Sequence, residues 1–550
     1  MTIRSKTFAY SDFLLLLGLF VSFRCFSVLF LRPGGYTRDY SDLIYYQGRA
    51  SWQDFGLLPY RDYWSEYPPL FAWFSLWIDR WSRRIPLWED ERLWYAAFFG
   101  LGMVVAETIT LLCLYQLARR LHGERALQVT WLYAGLFLPV YFLSGWYDAL
   151  AVATIFVGLW LLVERPNTLG ALWAGLALGV GGLLKLVPLA LLALLPLALV
   201  RWSQRLLAGG LALLVLIAGY GWAYLHGPVM TLASLRSLAE RSGWSTLYAW
   251  VNGYTRLGKV LGDLFDPAAR IRQYESFYPQ EWVLGTWLAL GALVLIGLWR
   301  RQASPHPVET LVGFAAFTYT LLLLAYPAWN PQYALYLLPF LVLLWPNIRG
   351  LSYALSLSLL VLIEHPIYHN LIGPDYAPVA RTLIEVDYRQ FFLAIIIART
   401  AILAAIAVDL GLNLLHRLPR LRWLPVAVCI GAVALVIGLT PQFGRAYAAG
   451  RLATSTVRPL ALYLNTLDVK LPVVAQQLPL GRRLRPFLTN QDRLTLFGGR
   501  PGRIDPLPEV AADGPFVYVQ SNDDDLALAE QVAQTYRCQA ELALSDWRLR

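Results

Sequence analysis

Charge is scarce in this chain: Asp, Glu, Lys and Arg make up 15% of its 550 residues, against 57% hydrophobic and 14% aromatic. With mean hydropathy at +0.48, a soluble globular protein is excluded and a polytopic membrane protein is expected. Cysteine is scarce too. Cys25, Cys113 and Cys429 fall in or near apolar runs and only Cys538 lies in the tail, which excludes a disulfide framework and a cysteine metal site. No glycine-rich nucleotide loop, low-complexity segment or sequence repeat is present.

What is abundant is apolar length. A span needs about 20 apolar residues to cross about 30 Å of hydrocarbon, and about thirteen such stretches are countable on that rule. They fall near 11–31, 93–117, 127–143, 149–163, 168–184, 186–200, 206–225, 281–299, 308–325, 332–346, 350–364, 391–412 and 423–440. Their length and continuity predict helices rather than barrel strands, so the fold class is an all-α polytopic membrane protein. The first run, preceded by Arg4 and Lys6, lacks a small-residue cleavage site and reads as a retained helix.

Arginine sets the orientation. Arg119, Arg120, Arg125, Arg201, Arg205, Arg300, Arg301, Arg349, Arg417, Arg420 and Arg422 alternate consistently with these spans and mark one side as cytoplasmic, together with the N-terminus. The net charge of +10 is thus a topology signal, and nucleic-acid binding is not expected. The loops 32–92, 144–148, 226–280, 326–331 and 365–390 lie outside, as does the tail. Residues 1–440 form the membrane domain, with amphipathic helices in its first outer loop. Residues 441–550 form a small extracytoplasmic α/β domain, with a strand at Phe516–Gln520 and a helix at Asp523–Tyr536. Its arginines, among them Arg482, Arg485 and Arg500, read as a solvated basic face.

The chemistry-bearing residues gather in the outer loops. Asp39 and Asp42 follow the first span, beside Tyr45, Tyr46, Tyr60 and Tyr63, and tyrosine suits a pocket holding a polar substrate next to lipid. Either aspartate is a candidate general base or a helix cap. Glu66 has two readings, a sugar hydroxyl's partner or a loop stabiliser. Lys185 interrupts an apolar run near the outer end of its span; its amine either meets a phosphate in a cavity or snorkels to headgroups, with Pro188 marking a kink. Arg241 is a second phosphate candidate, its guanidinium fork matching an oxyanion. Asp148 follows Tyr147 in a short loop, where helix capping is favoured over sugar binding. Asn330 and Gln332, between Trp329 and Tyr333, offer the donors, acceptors and stacking faces a sugar needs. Glu364, His365 and His369 invite a metal reading that Pro366 argues against; a wall of the acceptor site is favoured. Arg24, inside the first span, requires a buried partner.

The order of an aspartate soon after the first span, then Gly56, Pro59 and Tyr60, then Tyr67, Pro68, Pro69 and Leu70, resembles the integral-membrane GT-C superfamily of glycosyltransferases. The polyprenyl-phosphate-mannose-dependent mannosyltransferases are the most similar type. Leu183–Leu189 (LLKLVPL), Arg241–Tyr248 (RSGWSTLY) and Tyr326–Pro339 (YPAWNPQYALYLLP) are similar to further motifs of that group, although Trp244 stands where relatives often have Glu. The resemblance runs to about residue 350 and leaves the tail uncovered.

It implies inverting transfer of a sugar, mannose favoured, from a polyprenyl-phosphate donor to a glycolipid or glycan hydroxyl at the outer face of the cell membrane. Asp42 would be the base, with Asp39 second. Lys185, Arg241 and Ser245 would hold the donor phosphate, and Tyr45, Tyr60, Glu66, Tyr67, Asp148, Asn330, Gln332 and His365 would line the sugar and acceptor sites. No metal or other cofactor is called for. A transporter or flippase of lipid-linked sugars would instead place ionisable groups near mid-membrane, and a non-catalytic glycan-binding scaffold would leave its substrate intact.

Overall fold

The computed structural model describes residues 3–30, 42–85, 92–143, 145–239, 243–251, 263–268, 307–368, 385–414, 423–454 and 457–467, the isolated residues 289, 293 and 297, and five strands beyond. The expected span 281–299, apart from those three residues, and the expected helix Asp523–Tyr536 lie outside the described residues, as do Arg482, Arg485 and Arg500. The chain divides into two compact units, Met1–Gly373 with Gln390–Gly438, and Pro374–Arg389 with Leu439–Arg550.

The first unit is helical. Among the described residues six helices are long and apolar enough to cross a membrane: Ser11–Phe30, Leu93–Ala134, Trp202–His226, Val308–Ala325, Ile348–His365 and Gln390–Leu414. Shorter apolar helices run over Thr168–Leu184, Val187–Ala198, Pro331–Leu344 and Pro425–Thr440. The expected span 127–143 is broken after Ala134 into Ala126–Ala134 and Phe137–Phe142, and two others differ from regular helices. The run at 186–200 is a 3-10 helix, Val187–Leu194, followed by one α-turn, Leu195–Ala198. The run at 332–346 is a 3-10 helix, Pro331–Tyr336, followed by Leu338–Leu344. Prolines explain both: Pro188, Pro196, Pro331 and Pro339 each sit in the first turn of one of these short pieces, where a missing N–H costs nothing, whereas inside one long helix each would break the ladder.

Small residues set the packing beneath these breaks. The Thr168–Leu184 helix lies against Trp202–His226 so closely that a Cβ on Gly175 would collide with the Ala208 carbonyl oxygen, and one on Gly179 would meet Val215 at 2.7 Å. Glycines four apart on one face permit that backbone approach, the usual device for joining helices in lipid. The partner Arg24 requires is Glu107, 3.9 Å away on the Leu93–His122 helix, whose carboxylate also accepts a 2.9 Å hydrogen bond from the Tyr133 hydroxyl. A second pair, half-buried Arg349 with buried Asp409, joins Ile348–Leu362 to Glu385–Leu414.

The loop 42–85, which follows the first long helix, folds into three short helices, Leu43–Ala50, Ser51–Phe55 and Pro69–Ser82. Gly56, at φ 75°, ends the second, and the Tyr67-Pro68-Pro69 run starts the third.

In the second unit a five-stranded sheet has the order β2-β1-β3-β5-β4, where β1 is Val473–Gln476, β2 Leu494–Phe497, β3 Val517–Ser521, β4 Leu542–Leu544 and β5 Trp547–Leu549. Its first three strands pair in parallel and the last two antiparallel. The strand expected at Phe516–Gln520 coincides with β3. A helix, Val457–Thr466, precedes the sheet.

Candidate active site

A cavity of about 440 Å³ opens where the loop 42–85 meets both proline-broken segments. Asp42, Glu66 and Tyr67 come from the loop, Lys185 from the end of the Thr168–Leu184 helix, and Asn330, Gln332 and Tyr333 from the segment after Val308–Ala325. Leu186, Leu189, Leu238, Leu322 and Leu323 give it an apolar side. Its size falls in the range of small-molecule sites, about 300–1,000 Å³.

Asp42 immediately precedes the Leu43–Ala50 helix, yet its side chain makes no cap hydrogen bond. The carboxylate instead accepts a 3.2 Å hydrogen bond from the Tyr46 hydroxyl one turn on. Tyr46 is fixed by a ring of aromatics, Tyr67, Phe71, Phe99 and Tyr147, with centroids 4.9–5.9 Å away. Burial pushes the Asp42 carboxyl up to about 6, and the negative charge of Glu66 adds to the rise. The Tyr46 hydrogen bond, His365 and Lys185 hold it from going higher. Glu66 is ion-paired with Arg49, whose guanidinium also lies over the Tyr67 ring at 5.5 Å. Burial pulls that guanidinium down, but the Glu66 charge and hydrogen bond more than offset it and hold Arg49 above its usual range.

Lys185 faces this group. It leaves the helix in extended geometry (φ −160°, ψ 139°), which turns the chain into the Pro188 segment. Its amine pairs with Asp148 Oδ1 at 2.5 Å and sits among three tyrosine rings, Tyr333 at 4.8 Å, Tyr147 at 5.1 Å and Tyr336 at 5.9 Å. The Tyr336 hydroxyl donates to the same Asp148 oxygen at 2.6 Å. Asp148 is therefore no helix cap: it is the first residue of Asp148–Glu164, fully buried, and it serves as the lysine's counter-ion. The Lys185 amine is held by this cage, with 15% of its side chain exposed.

On the far wall Asn330 accepts a 2.8 Å hydrogen bond from the Trp244 indole and donates to the Tyr333 hydroxyl at 3.2 Å. Gln332 is buried in the same wall.

Other expected site residues stand apart from the cavity lining. Tyr45 is exposed on its helix. Tyr60 is buried and donates to the Tyr67 carbonyl, so it braces the loop from behind in a left-handed conformation, φ 68°. Gly227 is the reason it fits, because a Cβ there would collide with the Tyr60 carbonyl oxygen. His365 is buried against Trp146 and bonded to the Tyr141 hydroxyl at 3.1 Å through Nδ1. Ser245 is buried, at φ 53°. Asp39, Arg241 and His369 lie outside the described residues.

The expectations for Glu364 miss its partner. Glu364 pairs with Arg399 of the Glu385–Leu414 helix, and the same guanidinium donates to the Ser245 carbonyl. An arginine in the middle of an apolar run was the sequence signal for it, the same signal that marked Arg24. Among the described residues no His, Cys, Asp and Glu side chains cluster so as to hold a metal ion.

Comparison with known proteins gives little. No family model matches the chain and no curated protein matches it. Among solved structures, the crystal structure of ArnT from Cupriavidus metallidurans bound to undecaprenyl phosphate aligns with 98% of this chain and 97% of its own, at 16% identity and a TM-score of 0.42. At that likeness neither fold nor ligand is carried across.

Proposed function

We propose that the chain is a membrane glycosyltransferase that moves a sugar from a polyprenyl-phosphate donor to an acceptor hydroxyl. The observation that carries this reading is Asp42: a carboxylate in a cavity wall, raised to about 6 and therefore basic near neutral pH, facing a caged lysine. The motif resemblance supports the same reading and favours mannose as the sugar and a glycolipid or glycan as the acceptor.

The acceptor hydroxyl loses its proton to Asp42 while its oxygen bonds to the anomeric carbon, and the bond from that carbon to the phosphate oxygen breaks on the opposite face. Configuration inverts. The leaving polyprenyl phosphate is a stable anion that needs positive charge rather than a proton, and Lys185 supplies it. Arg241 remains a further candidate for the phosphate, and Asp39 a second candidate for the base. Glu66, Tyr67, Asn330 and Gln332 offer hydrogen bonds to the sugar. The leucine-lined side suits a prenyl chain that stays in the bilayer.

The test is transfer of radiolabelled mannose from polyprenyl-phosphate-mannose to a lipid extract by the purified protein, beside Asp42→Asn. Product from the native chain alone supports the reaction and the base. Equal turnover by both removes Asp42 from the chemistry, and binding of the donor without turnover turns the reading to a glycan-binding scaffold.

A further inference from the structure

Arg399 does not line the reaction cavity, yet it supports one wall of it. The residue is buried on the Glu385–Leu414 helix, paired with Glu364, and donates its second branch to the Ser245 carbonyl. The guanidinium also lies over the Trp329 ring at 4.4 Å. Ser245 sits at φ 53°, an uphill conformation for a residue with a side chain, which persists where its surroundings impose it.

From Ser245 a continuous set of contacts leads to Lys185. The Trp244 carbonyl accepts from the Trp329 amide at 2.8 Å, and Thr246 donates to the Pro327 carbonyl at 2.7 Å, so the segment is laid against the 327–330 loop on both sides of Ser245. The Trp244 indole donates to Asn330, Asn330 donates to Tyr333, and the Tyr333 ring is the nearest wall of the lysine cage. The Arg399 side chain also borders a separate cavity of about 240 Å³, beside Trp329 and Thr246, so truncation enlarges a void.

We infer that Arg399 is a positioning residue for the phosphate side of the cavity: by holding Ser245 in its left-handed conformation it sets, through Trp244 and Asn330, the place of Tyr333 against Lys185. The expected kinetic effect rests on the glycosyltransferase reading; the structural effect does not.

Removing Arg399 alone would strand the buried Glu364 charge, so the variant of choice is Arg399→Met with Glu364→Met, since an apolar pair of similar volume commonly replaces a buried ion pair without loss of folding. Lys185 exposure is read by acetic anhydride labelling and mass spectrometry, with Lys6, Lys259 and Lys470 as internal references. The double variant should fold, with Lys185 labelled about five-fold faster relative to those references, the worth of about one hydrogen bond. Adding Ser245→Gly should reverse much of that gain, because glycine adopts the positive φ unaided.

In transfer assays the donor KM should rise by a similar factor with kcat within about two-fold. Unchanged Lys185 labelling in the folded double variant, or no recovery with Ser245→Gly, overturns the inference. Should the double variant not fold, Arg399→Lys keeps the pair with Glu364 and loses the second branch; unchanged labelling there overturns it equally. If the native protein transfers no sugar from any polyprenyl-phosphate donor, the glycosyltransferase reading fails while the labelling result still decides the role of Arg399.

Discussion

Asp42→Asn should stabilise the protein while abolishing transfer. A carboxyl raised from its ordinary 3.8 to about 6 is one whose charge the native state tolerates poorly. Such a group leaves stability intact below about pH 4 and lowers it as pH rises through about 6. At about 1.4 kcal/mol per pH unit the displacement is worth about 3 kcal/mol, and because Asp42 is only half-buried, solvent screening brings the expected gain to about 1–2 kcal/mol. Asparagine keeps an oxygen for the Tyr46 hydroxyl, so little else changes.

The assay is thermal unfolding of both proteins in detergent at about pH 4 and about pH 8. The midpoints should coincide at the lower pH, and the variant should unfold at a higher temperature than the native protein at the upper. An Asp42→Asn protein no more stable than the native one at about pH 8, or a difference of the same size at both values, would refute the reasoning.

Transfer by the native enzyme should fall on the acid side with an apparent pKa of about 6, as Asp42 takes up a proton, and Glu66→Gln should move that limb to lower pH because a like charge is gone; a pH–rate profile of kcat/KM checks both. Lys185→Ala should cost about 3–5 kcal/mol of stability by leaving the Asp148 charge buried and unpaired. Lys185→Met with Asp148→Asn should recover folding but not donor binding, measured by unfolding and by retention of labelled donor. Tyr60→Phe should lose about 1 kcal/mol, one hydrogen bond to the Tyr67 carbonyl, with the donor KM nearly unchanged.

Hydropathy made most of the membrane helices legible, because segments that face lipid must carry long apolar runs whatever their tertiary partners. It misread the runs at 186–200 and 332–346, since an apolar count is blind to the dihedral demands of Pro188, Pro196, Pro331 and Pro339. That Asp42, Glu66, Lys185, Asn330 and Gln332 belong to loops and helix ends was readable from their places beside apolar runs. Which of them pair was not: Lys185 and Asp148 meet across two helices, and Asp148 at a helix start looks like a cap until the lysine is seen. Tyr60 shows the same limit, because its carbonyl packs where only a glycine leaves room, and that glycine, Gly227, lies far along the chain.

The buried contact between Arg24 and Glu107 has a consequence for biogenesis. During synthesis the arginine reaches the membrane about 80 residues before its carboxylate is made, which at ordinary elongation rates is some 4–16 seconds. An unpaired arginine inside an apolar helix costs about 2.5–3.5 kcal/mol to insert. The first helix therefore has reason to linger beside the insertion machinery until the Leu93–His122 segment arrives, and the two should enter the bilayer as a pair.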